Sequence, residues 1–230
     1  MSDLKIILDG FKKGDKNGGP TELAKILTHS LIACNNFNKE DVVKRYYHWW
    51  QTDAFDTGPT FAMVFNKVSQ GVSILDAAYE VNKQLNGATA GCGPAHRIAP
   101  LAGFKKIKTD QLIDLALKEA SITHYHPYAG KCSAIMVLIC RFLLEGNSWE
   151  DCKNLIKQNE KTKSTWLDIK NASLNNGGYV LDVMHTAIHF LDMNDSLEKS
   201  LAFAGPANYC PVIVGIIENI KKNMNKKIKK

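Results

Sequence analysis

The chain has 230 residues, of which 45% are hydrophobic and 23% charged, with six cysteines and a formal net charge of +6. This composition excludes a largely disordered chain and is typical of a folded soluble domain. The chain has no run of about 18 uninterrupted apolar residues, so the sequence predicts no membrane span. The first residues have neither a basic start nor a small-residue cleavage site, so we expect no signal peptide and a cytoplasmic location.

Apolar residues recur at helical spacing through most of the chain, beginning with Leu23, Ile26 and Leu27. Side chains that cap helices precede four of the predicted helices, at Asn38, Ser73, Thr109 and Ser148. Prolines mark three further helix starts, at Pro59, Pro127 and Pro211. The last helices are expected after the Gly177-Gly178 pair and from Ser196. Because no segment alternates as a strand would, we predict an all-α fold.

The positive charge is concentrated at the end of the chain. The last ten residues carry six lysines and no acid, so the remaining 220 residues are neutral overall. We therefore predict one domain over residues 1–220 and a basic tail over residues 221–230. Neither aromatic residues nor arginines accompany these lysines, so we expect no nucleic-acid partner and no membrane partner. The cysteines form no C-x-x-C pair and are expected to be reduced thiols.

Four connections between predicted helices combine glycine, hydroxyl and ionisable residues. They comprise residues 53–60, 90–101, 122–127 and 204–211. Such loops at helix starts can line a polar cleft, and free backbone N–H groups there favour an anion such as phosphate. A small polar or nucleotide-like ligand is therefore the expected partner.

Three of these connections carry motifs that occur together, in the same order, in one known protein family. An Asp-x-Gly-x-Thr motif after tryptophan falls on Asp56 to Thr60, following Trp49 or Trp50. A Gly-x-x-x-Arg-x-x-Pro-Leu motif falls on residues 93–101, and a Thr-His-x-His-Pro motif falls on residues 123–127. Over roughly residues 20 to 220 the chain resembles the ADP-ribosylglycohydrolases, including the enzymes that reactivate dinitrogenase reductase. Jellyfish J1-type crystallins share this fold, and the resemblance implies an orthogonal multi-helix bundle.

The resemblance also implies two magnesium or manganese ions, but most of their ligands are missing. The family's Thr-Asp-Asp-Thr motif falls on residues 18–21 (Gly-Gly-Pro-Thr), and its Asp-x-Asp-Thr motif falls on residues 206–209 (Pro-Ala-Asn-Tyr). Only Asp56 and the hydroxyl of Thr21 remain as ligands, so we expect no binuclear metal centre and no other cofactor. The family's first helix, which carries a Gly-Asp pair, is also expected to be missing. Gly14-Asp15 lies too close to the next motif to be its equivalent.

Four residues are candidates for catalysis. Asp56 is interpreted as a general acid or base, or alternatively as a helix N-cap. His124 is a cleft residue by resemblance, or else a hydrogen-bonded loop histidine. Cys92 could be a nucleophile, although a buried thiol is the commoner explanation. Tyr209 could contact the ligand, or fill the volume that a lost metal site leaves.

The candidate ligand-binding residues come from the same four connections. They are Thr57, Gly58, Thr60, Gly93, His96, Arg97, Thr123, His126 and Asn208. Arg97 could clamp an anion or form a structural ion pair, and the sequence does not separate these alternatives. We predict a metal-independent enzyme that uses acid–base chemistry on a polar, ribose-like or nucleotide-like ligand. A pseudoenzyme that binds ADP-ribose or a protein, and a crystallin-like structural protein, are the alternatives.

Overall fold

The computed structural model describes residues 2–228, which form α-helices joined by short connections. The first seven are α1 (Ser2–Asp15), α2 (Gly19–Cys34), α3 (Lys39–Thr52), α4 (Pro59–Ser69), α5 (Ile74–Gln84), α6 (Gly93–Arg97) and α7 (Pro100–Gly103). The others are α8 (Leu112–Ala120), α9 (Pro127–Leu144), α10 (Trp149–Gln158), α11 (Lys163–Lys170), α12 (Val180–Leu191), α13 (Ser196–Ala204) and α14 (Tyr209–Ile228). Within residues 2–228 there is no strand, so the all-α prediction is confirmed.

Three of the four predicted N-caps are confirmed. The side chains of Asn38, Ser73 and Ser148 each accept a hydrogen bond from the backbone N–H three residues later. The prediction for Thr109 is wrong, because a 3₁₀ turn, Thr109–Gln111, precedes α8. The Thr109 hydroxyl instead donates to Glu145 and accepts from Arg141, which ties this turn to the end of α9.

Helix α9 is the centre of the core. Its length and hydropathy match those of a membrane span, but 72% of it is buried inside the protein, as in the central helix of a soluble domain. Helices α6, α7, α8, α10, α12 and α14 pack around it. This arrangement places the N-terminus of α9, and the loop before it, beside the starts of α6 and α14.

The first and last helices form a closely packed pair. A Cβ atom on Gly14 would lie 1.9 Å from the carbonyl oxygen of Pro211, and one on Gly10 would lie 2.7 Å from the Cα of Ile216. Gly215 makes the reciprocal approach, 2.7 Å from the nitrogen of Gly14. Helix α1 was not among our predicted helices, and glycine is needed at these positions because the two backbones nearly touch.

The predicted basic tail is helical within the described part of the chain. Helix α14 continues without interruption to Ile228, so residues 221–228 form its last two turns. Lys229 and Lys230 lie outside the described residues. The division into a domain over residues 1–220 and a tail over residues 221–230 therefore stays a prediction.

Candidate functional site

The four connections singled out in the sequence meet at one cleft of about 340 Å³. Eleven of the thirteen predicted site residues line it: Asp56, Thr57, Gly58, Thr60, Cys92, Gly93, His96, Arg97, His124, Asn208 and Tyr209. A larger open depression of about 550 Å³ lies between α13 and α14 and contains none of these residues. The cleft, where glycines, imidazoles and a carboxylate converge, is therefore the candidate site.

Two carboxylates meet at the N-terminus of α2, and we call Asp15 and Asp56 the acidic wall of the cleft. Asp56 accepts a hydrogen bond from the backbone N–H of Gly19 at 3.0 Å. Asp15 accepts from the backbone N–H of Thr21 at 2.8 Å and from its hydroxyl at 2.5 Å. Both acids thus cap α2, where free N–H groups and the helix dipole stabilise negative charge.

Asp56 therefore does not play the capping role that we considered for it. The N-cap of its own helix, α4, is Gly58, whereas Asp56 caps a different helix. Its backbone is left-handed, with a φ of 49°, a conformation that is uncommon outside glycine. That turn directs the carboxylate across to α2 and leaves Asp56 exposed in the cleft.

Asp15 is the one ionisable residue of the cleft lining that sequence reasoning missed. We expected the family's first helix to be missing and Gly14-Asp15 not to be its equivalent, but a helix does precede α2, and it ends on Gly14-Asp15 and brings Asp15 to the cleft. A Cβ atom on Gly18 would lie 2.7 Å from Asp15 Oδ1 and 2.5 Å from Asp56 Oδ2. Oδ1 of Asp15 and Oδ2 of Asp56 therefore lie close together next to Gly18.

The inner oxygen of this acidic wall, Oδ1 of Asp15, is buried next to Gly18. Asp15 is 1% exposed, and its Oδ1 is buried without a hydrogen bond to any residue in the described chain. Burial, opposed by the hydrogen bonds from Thr21, and the nearby charge of Asp56 raise the pKa of Asp15. Asp15 thus carries a buried carboxylate oxygen close to the exposed carboxylate of Asp56.

A second group of lining residues, His96 and His124, forms what we call the imidazole wall. Burial, assisted by the charge of Arg97, lowers the pKa of His124 to about 3. Burial likewise lowers the pKa of His96 to about 4, and its Nε2 has no hydrogen-bond partner in the described chain. Both imidazoles are therefore neutral near pH 7.

Arg97 forms the structural ion pair that was one of its two predicted roles. Its Nε donates to Glu119 Oε1 at 2.6 Å, and both side chains are almost completely buried. Tyr46 donates to the same oxygen at 2.9 Å, and its ring lies under the guanidinium, 5.2 Å from ring centre to Cζ. The guanidinium borders the cleft, but its contacts with Glu119 and Tyr46 serve mainly to hold α6 against α8.

Two predicted site residues do not line the cleft. Thr123 is buried behind it, where its hydroxyl accepts from Arg97 at 2.9 Å and contacts Nδ1 of His124 at 2.8 Å. His126 is the N-cap of α9, because its Nδ1 accepts from the backbone N–H of Tyr128 at 3.2 Å. For His126 this matches the alternative of a hydrogen-bonded loop histidine.

Cys92 and Tyr209 both line the cleft, but Cys92 is buried and Tyr209 is partly exposed. Burial raises the pKa of the Cys92 thiol to about 12, so it is protonated at neutral pH and suits a core position better than a nucleophile. Tyr209 is 40% exposed, and its ring would lie 3.5 Å from a Cβ atom on Gly178. An antiparallel bridge between Gly91 and Tyr179 holds the two neighbouring loops together.

The comparisons with known proteins agree with this fold. A model of the ADP-ribosylglycohydrolase family matches residues 14–207. A solved structure named "ADP-ribosylglycohydrolase-related protein complex" is similar at 18% identity with a TM-score of 0.71, over 95% of this chain and 88% of that chain. No curated protein matches the chain by sequence. With the family match covering most of its length, the chain belongs to the ADP-ribosylglycohydrolase family.

Proposed function

We propose that this protein binds a small ribose-like or nucleotide-like ligand in the cleft and hydrolyses it without a binuclear metal centre. The observation that carries the proposal is the pairing of an acidic wall with an imidazole wall. The exposed carboxylate of Asp56, with Asp15 buried beside it, can accept hydrogen bonds from ligand hydroxyl groups, and the imidazole wall can offer N–H donors. A sugar linked to a carbonyl or phosphate group presents both kinds of partner.

The residues present do not fit two divalent cations. Such ions need several oxygen ligands each, and the acidic wall supplies two carboxylates. One oxygen of Asp15 is already bonded to Thr21, and one oxygen of Asp56 is bonded to Gly19. In residues 2–228 no three His, Cys, Asp or Glu side chains are grouped so that they could hold a metal ion. The proposal therefore uses no metal-dependent step.

In the proposed reaction a water molecule adds to the anomeric carbon as the bond to the leaving group breaks. Asp56, which is exposed in the cleft, takes a proton from this water and stabilises the oxocarbenium-like charge. The leaving group takes a proton from the phenol of Tyr209, the other exposed ionisable candidate in the cleft. Asp56 then releases to solvent the proton it took from the water, and the phenolate recovers a proton from solvent, so both residues are restored and the net reaction is hydrolysis.

A binding protein without catalysis is the second candidate function. It is favoured by the pKa values of His96, His124 and Cys92, which lie far enough from 7 that none of the three changes its protonation state near pH 7. Such a protein would keep the ligand contacts and form no product. This candidate and the enzyme make the same prediction for ligand binding and differ only in turnover.

The test combines calorimetry with ADP-ribose and an assay for release of ADP-ribose from ADP-ribosylated substrates in the presence of EDTA. We expect the wild-type protein to bind ADP-ribose and to turn over despite the chelator. Asp56→Asn should lower turnover by roughly a hundredfold or more, as loss of a general base does. Asp53→Asn is the matched control, because Asp53 is an exposed acid that accepts from the Thr52 hydroxyl and does not line the cleft.

The outcomes separate the two candidates. Binding without product supports the non-catalytic protein and contradicts hydrolysis. Full turnover in Asp56→Asn removes Asp56 from the mechanism. Turnover that EDTA abolishes contradicts the metal-independent reaction.

A further inference from the structure

Four buried side chains form a continuous chain of polar contacts behind the imidazole wall. Glu119 accepts from Arg97 Nε at 2.6 Å, and Arg97 Nη2 donates to Thr123 Oγ1 at 2.9 Å. Thr123 Oγ1 in turn lies 2.8 Å from His124 Nδ1. Glu119 and Thr123 are fully buried, and Arg97 is 1% exposed. Water is therefore excluded from most of this chain, and its proton positions are set by the side chains themselves.

The chemistry of the groups fixes the first of these hydrogen-bond directions, and the second follows because a buried Thr123 proton that did not go to His124 would have no acceptor in the described chain. A guanidinium has only donors, so Thr123 must accept from Arg97. The Thr123 hydroxyl has a single proton, and His124 Nδ1 is its partner within the described chain. When Thr123 donates that proton, Nδ1 must be the unprotonated nitrogen of the imidazole. The neutral ring then carries its proton on Nε2.

This Nε2–H faces the cleft. A Cβ atom on Gly91 would lie 3.0 Å from Nε2, and one on Gly93 would lie 3.8 Å from it. Gly91, Gly93 and His124 all line the cleft. The two glycines thus leave the nitrogen uncovered, where larger residues would shield it from a ligand.

We propose that Thr123 is a positioning residue that holds His124 in the Nε2–H form, so that His124 donates a hydrogen bond to an oxygen of the ligand. This inference deepens the proposed function and rests on it for the identity of the ligand. It assigns His124 the role of a neutral donor rather than a general base. The low pKa of His124 is consistent with that role, because the ring does not take up a proton near pH 7.

The test is the protonation state of the His124 ring, measured by NMR on protein labelled with ¹⁵N-histidine. The chain has seven histidines, so the His124 signals are assigned by their loss in His124→Gln. In the wild-type protein we expect an unprotonated Nδ1 and a protonated Nε2. Thr123→Val removes the hydroxyl and should give a mixture of both neutral forms. Thr123→Ser keeps the hydroxyl and should restore the wild-type pattern.

Ligand binding gives the second readout, with ADP-ribose as the probe. A donor that is present only part of the time should weaken binding roughly tenfold in Thr123→Val, and by less than about twofold in Thr123→Ser. A protonated Nδ1 in the wild-type protein, or a wild-type ring pattern in Thr123→Val, overturns the inference. Even where Thr123→Val does not fold, a protonated Nδ1 in the wild-type spectrum overturns the inference. Failure of the wild-type protein to bind ADP-ribose contradicts the proposed function, whereas the ring pattern still decides the role of Thr123.

Discussion

The two walls of the cleft are built on opposite principles. In the acidic wall, backbone N–H groups at the start of α2 bind both carboxylates. Asp56 is exposed to solvent, and Oδ1 of Asp15 is buried without a hydrogen bond in the described chain. The imidazole wall stands on a buried ion pair, Arg97 with Glu119, whose side chains are almost inaccessible. In the first wall the exposed Asp56 is free to form hydrogen bonds with a ligand. The second holds its groups in one protonation state, which is what preorganised donors require.

The largest expected effect comes from breaking the buried ion pair. Arg97→Met leaves the Glu119 carboxylate buried without its partner, which should lower the free energy of unfolding by about 3–5 kcal/mol. Urea denaturation measures this loss. The control is Lys163→Met, because the Lys163–Glu160 pair is exposed and should contribute less than about 1 kcal/mol. Equal losses in the two variants would show that the Arg97–Glu119 pair does not stabilise the imidazole wall.

The pH dependence of stability should have opposite signs at the two walls. His124 has a pKa of about 3 when folded and an ordinary value of 6.5, so its stabilising contribution is complete above pH 6.5 and is lost as the pH falls. For Asp15 the folded pKa is raised, so its contribution is present at low pH and is lost as the pH rises above the ordinary value of 3.8.

Single substitutions separate the two contributions. Between about pH 6.5 and 5, His124→Gln should lose about 2 kcal/mol less stability than the wild-type protein, since each pH unit contributes at most about 1.4 kcal/mol. Asp15→Asn should gain stability relative to the wild type as the pH rises from about 4 to 7. Urea unfolding across this pH range measures both effects. Parallel curves for the wild type and His124→Gln would contradict the burial of a neutral imidazole.

The smallest effect concerns the glycines over His124. A Cβ atom in Gly91→Ala would lie 3.0 Å from Nε2 and crowd its donor, whereas in Gly93→Ala the nearest contact is an ordinary 3.6 Å. We expect Gly91→Ala to weaken ADP-ribose binding by about 1 kcal/mol, roughly fivefold, with little change in Gly93→Ala. Calorimetry measures both dissociation constants. A greater loss in Gly93→Ala would place the ligand contact elsewhere on this wall.

The sequence was sufficient for the features that depend on local chemistry. Caps at Asn38, Ser73 and Ser148 satisfy N–H groups within three residues, so their effect can be read from adjacent residues. Helix α1 has the same kind of signal, since Leu4, Ile7, Leu8 and Phe11 follow helical spacing. The glycines of α1 are explained by its close contact with α14, which no local spacing shows.

The features that sequence could not supply depend on which loops meet in space. Asp15 and Asp56 are 41 positions apart, and only the fold shows that both cap one helix. Similarly, Glu119 decides the role of Arg97, yet it lies in another helix. His124 and His126 are equivalent by spacing, but only His124 reaches the cleft, because the turn into α9 directs the second ring to a backbone N–H.

The pairing of α1 with α14 bears on how this protein should be produced. The family match spans residues 14–207, so it leaves out most of α1 and all of α14. A gene trimmed to that segment would lose Tyr209 and the helix against which Gly14 is packed, so Asp15 would lose its support. It would also uncover the apolar surfaces that α14 buries, including Val214 and Ile217, and so invite aggregation. Expression boundaries should therefore enclose both terminal helices.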